Sequence, residues 1–166
     1  MREPVVDANG VVFALSPGEN AVQRGGQDKR LLNTRPAVLK ALDAKTGKIV
    51  WEFYLVPKTA GDPIRGPQGA TPLDISTWKN PSGTPITGGG TWTSYTLDPT
   101  TGELFIPGGN PAPDFATGPR EGANLYSGSI VVLDAKTGAY KSHFKLVPKD
   151  WHDWDVSTAP ALIETK

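Results

Sequence analysis

The sequence predicts an all-β chain of stacked hairpins, and three observations support this fold class. The segment 42–47, Leu-Asp-Ala-Lys-Thr-Gly, returns at 133–138, and 11 of the 17 positions aligned between 42–58 and 133–149 are identical. A weaker copy, Leu-Asp-Pro-Thr-Thr-Gly, occupies 97–102, so the copies recur about every 45 residues on average. The chain has 19 glycines and 16 prolines, and no window of ten or more residues shows a sustained helical period. A repeat of this length is typical of the blades of a β-propeller.

The first half of the chain contains two hairpin signatures. Apolar residues flank Asn9-Gly10 within 4–15, and Asn-Gly is a strong turn signal between two strands. A polar loop follows at 16–35, and a repeat at 36–58 then runs from an apolar strand through Leu-Asp and a Thr-Gly turn into a second strand. In such a turn Asp accepts hydrogen bonds from backbone amides ahead of it, and Gly adopts the positive φ.

The second half repeats this pattern. The predicted elements are a Gly- and Pro-rich connection at 59–90, a repeat at 91–108, a loop at 109–125, a repeat at 126–147 and a tail from Asp150 that begins another blade. We expect each repeat to form the hairpin of one blade, with successive repeats on adjacent blades. Residues 1–166 are therefore predicted to form one incomplete β-propeller region, with long connecting loops at 16–35 and 59–90.

The length predicts an open ring. At about 45 residues per blade, 166 residues supply about three to four blades, whereas propellers have about four to eight. The open ends of such a ring expose unpaired strand edges, which invite pairing with another chain. We therefore expect a fragment of a longer propeller, whose ring is closed by the remaining blades or by another chain.

Composition argues against several classes of partner. The 17 basic and 17 acidic residues balance, and the basic residues are dispersed, which argues against nucleic acid and against an anionic membrane surface. The sequence has no run of about 18 apolar residues that would predict a membrane span, and its first residues do not form a signal peptide. The lack of cysteine excludes disulfides and thiolate metal sites within the chain.

Three motifs resemble those of one enzyme family. They are a glycine-rich turn leading to a tryptophan at 88–92, Gly-Asn-Pro-Ala-Pro at 109–113 and Asp-Trp-His-Asp-Trp-Asp at 150–155. Together they resemble the quinoprotein alcohol dehydrogenases, which depend on pyrroloquinoline quinone (PQQ), and the resemblance extends from about 37 to 163. It implies part of a PQQ-binding-like propeller of eight W-motif-type blades. Such a propeller holds the quinone and a metal ion, Ca²⁺ or a lanthanide, and oxidises an alcohol by hydride transfer to the quinone.

The resemblance also implies roles for five residues. Trp92 lies flat against the quinone, because an aromatic face offers a large contact area, and Thr91 contacts the cofactor beside it. Asn110 gives its amide oxygen to the metal ion, since hard cations prefer oxygen ligands. Asp153 is a metal ligand and the general base that takes the alcohol proton as hydride leaves. Asp155 is a third metal ligand, and in the resembled family an acid at this position marks the members that use lanthanides.

The resemblance implies surroundings as well, namely a small alcohol as substrate, an electron acceptor such as a cytochrome c and a periplasmic location. The chain also departs from the family pattern. It lacks the vicinal cysteine pair, and residues 24–41 contain no glutamate that could act as the upstream metal ligand. Asn110, Asp153 and Asp155 supply a minority of the six to eight oxygens that a calcium-type ion takes. We therefore expect half a site, and an inactive chain when isolated.

Several residues also have a purely structural interpretation. Trp92 can be an ordinary blade-core tryptophan, and Gly109-Asn110-Pro111 is a turn signal with or without a metal ion. Asp155 can equally be a solvated loop acid. For the whole chain, the alternative is a non-catalytic quinoprotein-like scaffold or interaction module, which would not need to keep Trp92, Asn110 and Asp153 together. The remaining assignments are Trp51, Trp78 and Trp151 to blade packing, and Asp43, Asp98 and Asp134 to turns.

Overall fold

The computed structural model describes residues 5–6, 11–16, 38–56, 77–79, 87–112, 115 and 120–165. These residues contain ten strands and no α-helix. In chain order the strands are β1 (Val5–Val6), β2 (Val11–Ser16), β3 (Val38–Asp43), β4 (Ile49–Tyr54), β5 (Thr87–Gly88), β6 (Thr96–Asp98), β7 (Glu103–Pro107), β8 (Pro111–Ala112), β9 (Ser129–Asp134) and β10 (Tyr140–Lys145). A helix able to cross a membrane is not found in this described part of the chain.

The strands form two four-stranded antiparallel sheets and one two-stranded sheet. The first sheet has the order β1-β2-β3-β4, the second has the order β10-β9-β7-β6, and β5 pairs with β8. Four antiparallel strands in a sheet are the unit of a propeller blade. The all-β partial propeller predicted from the sequence is therefore confirmed, and the two sheets are open rather than closed into a ring.

The assignment of one repeat to each blade is wrong. The repeats at 91–108 and 126–147 share the second sheet, because β7 pairs with β9 from Glu103↔Asp134 to Pro107↔Ile130. The hairpin at 4–15 and the repeat at 36–58 likewise share the first sheet. The similar turns occur twice within the second sheet, so the spacing of about 45 residues is not the blade period. Equivalent turns of the two sheets lie at 42–47 and 133–138, between the third and fourth strands of each.

Two predicted loops contribute strands to the fold. β5 lies in the predicted connection 59–90, β8 lies in the predicted loop 109–125, and they pair through Thr87↔Ala112 and Gly88↔Pro111. The greater part of 16–35 and 59–90, together with the Asn9-Gly10 turn, lies outside the described residues. The tail from Asp150 does not begin a new blade within the described residues, since 146–165 contain no strand.

The repeated turns are held as the sequence predicts. The Asp43 carboxylate accepts hydrogen bonds from the backbone amides of Lys45 and Thr46 and from the Thr46 hydroxyl. The hydrogen bond from the Thr46 hydroxyl is the main reason that the pKa of Asp43 lies below its usual value. Gly47 follows with φ of 69°. Asp98 and Asp134 make the matching hydrogen bonds in the other two turns, which confirms all three as turn acids.

The indole of Trp51 lies in the hydrophobic core between the two sheets. Trp51 of β4 is fully buried, and its Nε1 donates at 3.0 Å to the carbonyl of Ala135, in the turn between β9 and β10 of the second sheet. Its ring lies over Gly138, where an added Cβ would be only 2.6 Å from Trp51 Cδ2. The surrounding cluster draws on both sheets and comprises Leu39, Ala41, Phe53, Leu55, Leu104, Ile106, Tyr126, Val131, Leu133 and Ala135. The assignment of Trp51 to blade packing is thus confirmed.

The other two tryptophans assigned to packing differ from each other. Trp78 is buried, and its Nε1 donates to the Leu125 carbonyl at 2.6 Å, as a packing role requires. Trp151 is 52% exposed and lies under the Lys149 ammonium, 5.5 Å from its ring centroid. The assignment of Trp151 to blade packing is therefore wrong. It lies between Asp150 and His152, in a segment, 146–165, where the structure describes no strand.

One lysine of β10 has an unusual environment. Lys145 is half-buried, and its Nζ donates to the Ser127 carbonyl. Burial removes water from the ammonium and lowers the pKa of Lys145 to about 8, an effect that Asp150 opposes and Arg120 reinforces. The unfolded chain keeps this lysine protonated up to about pH 10.5. Between these two values the unfolded state binds more protons, so stability rises with pH.

We expect the Lys145→Met variant to reveal this dependence. As pH rises from about 8 towards 10.5, the free energy of unfolding of the wild type should increase relative to that of Lys145→Met. The reason is that only the folded wild type loses a buried positive charge over this pH range. Urea denaturation at several pH values measures the difference. Lys136→Met, which changes an exposed lysine of the β9–β10 turn, should follow the wild type in parallel. Parallel curves for all three proteins would contradict the assignment.

Candidate functional site

Two glycine-rich segments touch through their backbones. The Gly89 amide donates to the Asn110 carbonyl, and the Gly109 amide donates to the Gly90 carbonyl, both at 2.8 Å. A Cβ added to Gly88 would lie 2.5 Å from the Asn110 carbonyl oxygen, and one added to Gly109 would lie 2.5 Å from that of Gly90. Only glycine allows backbones to approach this closely. The contact places the segment that ends in Trp92 beside the segment that carries Asn110.

Asp155 joins these two segments from a third part of the chain. Its Oδ2 accepts a hydrogen bond from Trp92 Nε1 at 2.8 Å, and its Oδ1 accepts one from the Asn110 backbone amide, also at 2.8 Å. Asp155 lies 63 residues after Trp92 and 45 after Asn110. The structure thus brings together three residues that the sequence had assigned to one site. Half-buried and twice hydrogen-bonded, Asp155 is not the solvated loop acid of the alternative interpretation.

Trp92 and Asn110 differ in how their side chains are held. Trp92 is 43% exposed, and its hydrogen bond to Asp155 is made at the edge of the indole. Within this chain Trp92 is therefore not packed as a blade-core tryptophan. Asn110 is half-buried, and its Nδ2 donates to the Pro111 carbonyl at 3.2 Å.

Thr91 is a buried residue next to Trp92 in the sequence. Its side chain is buried, and its Oγ1 shares a hydrogen bond of 2.8 Å with the hydroxyl of Tyr95. This contact fixes the residue that precedes Trp92. The contact of Thr91 with a cofactor stays a prediction.

Asp153 lies on an exposed loop that a second aspartate organises. Asp150 is buried, and its carboxylate accepts hydrogen bonds from the backbone amides of His152 at 2.9 Å and Trp154 at 3.1 Å. The His152 and Trp154 rings stack with centroids 4.5 Å apart. Asp153, between them, has an exposed side chain. The meeting of Asp153 with Asn110 at one ion stays a prediction, as does its role as a base.

The roles of two residues that position this loop, Asp150 and Arg120, were not predicted from the sequence. The buried Arg120 guanidinium donates through one nitrogen to the Asp150 carbonyl and to Asn124 Oδ1. Asp150 itself follows a pattern that sequence can show, because an aspartate before a short polar loop often accepts from amides two to four residues ahead. Arg120 carries no such local signal, since its partner lies 30 residues away.

The donor set predicted for the site is mixed. Among the residues that the structure describes, no three His, Asp or Glu side chains cluster in a way that could hold a metal ion. The predicted ligands are instead one amide, from Asn110, and two carboxylates, from Asp153 and Asp155. These are oxygen donors of the kind that Ca²⁺ takes.

The chain as a whole is similar to known proteins of one family. Residues 11–166 match the family described as PQQ: Glucose/ethanol/alcohol dehydrogenase, beta-propeller domain. The chain is 36% identical to a curated relative, the dehydrogenase subunit of alcohol dehydrogenase (quinone) from Gluconobacter oxydans (strain 621H), over 75% of this chain and 17% of that protein.

Two solved structures share the fold. The quinohemoprotein alcohol dehydrogenase from Comamonas testosteroni aligns with a TM-score of 0.66 and 28% identity, over 94% of this chain and 22% of that one. A europium-containing methanol dehydrogenase aligns with a TM-score of 0.65 and 25% identity, over 92% of this chain and 25% of that one.

The chain spans about a sixth of the length of the curated relative, so it corresponds to one part of a much longer propeller protein. That partial coverage is consistent with the predicted fragment. Because the family match covers residues 11–166, nearly the whole chain, the chain belongs to the PQQ-dependent glucose/ethanol/alcohol dehydrogenase β-propeller family.

Proposed function

We propose that the chain is part of a PQQ- and metal-dependent alcohol dehydrogenase that oxidises a small alcohol by hydride transfer to the quinone. The observation that carries this proposal is the convergence of Trp92, Asn110 and Asp155 from three separate segments. A non-catalytic scaffold would not need one carboxylate, that of Asp155, to bind both the exposed Trp92 indole and the Asn110 backbone amide. The family match supports the general kind of reaction.

The residue types predicted for this site are suited to a planar quinone and a hard cation. The Trp92 indole is partly exposed and is held at its edge, and a planar ring system stacks through the face. The amide oxygen of Asn110 and the carboxylates of Asp153 and Asp155 are suitable ligands for Ca²⁺ or a lanthanide. When bound, the quinone supplies the hydride acceptor and the ion polarises its carbonyl group.

Asp153 is the residue of this chain that moves a proton in the proposed reaction. Its exposed carboxylate accepts the hydroxyl proton of the alcohol, because a base beside the reacting carbon makes loss of hydride from the same carbon easier. Thr91, the buried residue that precedes Trp92, contributes by holding the adjacent backbone through its hydrogen bond with Tyr95.

We further propose a cytochrome c as electron acceptor and a periplasmic location. The first rests on the similar quinohemoprotein and dehydrogenase-subunit proteins, and the second on the family resemblance. The remaining propeller blades supply the other metal ligands and cofactor contacts in this proposal.

We expect the isolated 166-residue chain to show little or no dye-linked alcohol oxidation with added PQQ and metal ion, because too few oxygens are present to strip the ion of water. Replacing the matched part of the Comamonas testosteroni quinohemoprotein with this chain should restore turnover. Oxidation rates with Ca²⁺ and with La³⁺, measured for both proteins, test the proposal and identify the ion.

The outcomes distinguish the two functions considered. A chimera that folds and binds PQQ but does not oxidise alcohol would favour the scaffold. Full activity of the isolated chain would show that the site is assigned to the wrong residues.

A further inference from the structure

The Asp155 carboxylate uses both of its oxygens within the protein. Oδ2 accepts from the Trp92 indole and Oδ1 accepts from the Asn110 backbone amide, each at 2.8 Å. Hydrogen bonds to an ionised carboxylate are stronger than those between neutral groups. Both donors belong to residues with a proposed task at the cofactor, one against the quinone and one on the ion.

The space for this carboxylate is built into the neighbouring backbone. A Cβ on Gly109 would lie 2.6 Å from Asp155 Oδ1, so a side chain at that position would displace the carboxylate. The loop that carries Asp155 is itself fixed, because the buried Asp150 accepts from the His152 and Trp154 amides. The position of Asp155 is therefore set by two independent parts of the protein.

We propose that Asp155 is a positioning residue, which orients the Trp92 indole and the Asn110 backbone before any ion or quinone is bound. This inference rests on the proposed function for the tasks of Trp92 and Asn110. A partly exposed indole without a partner would sample several rotamers, and ordering it on binding would cost free energy. The hydrogen bond at the ring edge restricts the rotamers of the indole without covering its face.

Positioning and metal ligation make different demands on the same side chain. A carboxylate has about four lone-pair sites, and two of them are used by the two N–H donors. A residue that only ligates an ion does not order Trp92 when the ion is absent. A positioning residue orders Trp92 in the metal-free and quinone-free chain.

The test is NMR spectroscopy of the 166-residue chain without metal ion or quinone. Asp155→Asn keeps the shape but leaves one acceptor oxygen for two donors. We expect the Trp92 indole N–H, the Asn110 backbone N–H or both to exchange with solvent about tenfold faster and to shift in frequency. The Trp51 and Trp78 indoles, bound to backbone carbonyls elsewhere, serve as internal references and should not change.

Glu103→Gln is the matched control, since it makes the same change from carboxylate to amide on β7 and should leave Trp92 unaltered. If Asp155→Asn loses the Trp51 and Trp78 reference signals through unfolding, Trp92→Phe replaces it. Removal of the indole donor should then shift the ¹³C resonance of the Asp155 carboxylate. Unchanged Trp92 and Asn110 signals in Asp155→Asn, or an unchanged Asp155 resonance in Trp92→Phe, would overturn the proposal.

These measurements are separate from those on the proposed function, because they contain no ion, quinone or alcohol. A chimera without turnover, combined with the expected NMR changes, would count against the proposed function alone. A chimera with full turnover, combined with unchanged NMR signals, would count against the positioning role alone.

Discussion

Asp153→Asn in the completed propeller is expected to lower kcat for alcohol oxidation by about 10²- to 10⁴-fold, the range that a positioned base contributes. The amide keeps the size of the side chain but cannot accept the alcohol proton. Because Asp153 is exposed, the substitution should leave folding intact. Steady-state oxidation rates in the Comamonas testosteroni chimera, compared over a range of pH, provide the measurement.

The control for this experiment is Glu164→Gln, an equivalent change at an exposed acid of the same tail. It should leave kcat within a factor of about two of the unsubstituted chimera, because Glu164 is exposed and has no predicted role at the site. An undiminished rate in Asp153→Asn would assign the proton transfer to a different residue.

Trp51→Ala is expected to lower the free energy of unfolding by about 3–5 kcal/mol, the usual cost of removing a buried aromatic side chain. The indole is fully buried between the two sheets and donates to Ala135. Its removal leaves a cavity at that contact and an acceptor without its donor. Urea denaturation of the 166-residue chain measures the loss.

A pair of glycine substitutions tests the same contact from the other side. Gly47 and Gly138 end turns of identical sequence with φ of 69° and 72°, so alanine meets the same backbone strain at both. At Gly138 the new Cβ also collides with Trp51, whereas at Gly47 no atom of the described residues lies within 4 Å. Gly138→Ala should therefore cost about 1–3 kcal/mol more than Gly47→Ala. Equal costs would show that the indole does not rest on Gly138.

The local parts of the fold could be predicted from the sequence, whereas the pairing between distant strands could not. Asp43, Asp98 and Asp134 make their turns through contacts two or three residues away, and such contacts leave a local signature. The pairing of β7 with β9 joins Glu103 to Asp134 and depends on which sheet each hairpin enters. Nothing in the repeated hexamer distinguishes two turns of one blade from two turns of adjacent blades.

The candidate site shows the same division. Family resemblance predicted that Trp92, Asn110 and Asp155 belong to one site, and the structure brings these three together. The indole-to-carboxylate bond that joins them was not predicted, because a partner 63 residues away leaves no local pattern. The assignment of Trp151 to blade packing was wrong for a related reason. Tryptophan is often buried, but its burial depends on an apolar surface being placed over it.

The contact between Trp51 and the second sheet also has a consequence for synthesis on the ribosome. Trp51 donates to a carbonyl 84 residues further along the chain, and its ring rests on Gly138. At about 5–20 residues per second, this acceptor is made roughly 4–17 s after the tryptophan. Throughout that interval the Trp51 indole and the apolar face of the first sheet are exposed to solvent. The nascent chain therefore passes through a stage at which a chaperone can bind it. This stage ends when the second sheet emerges from the ribosome.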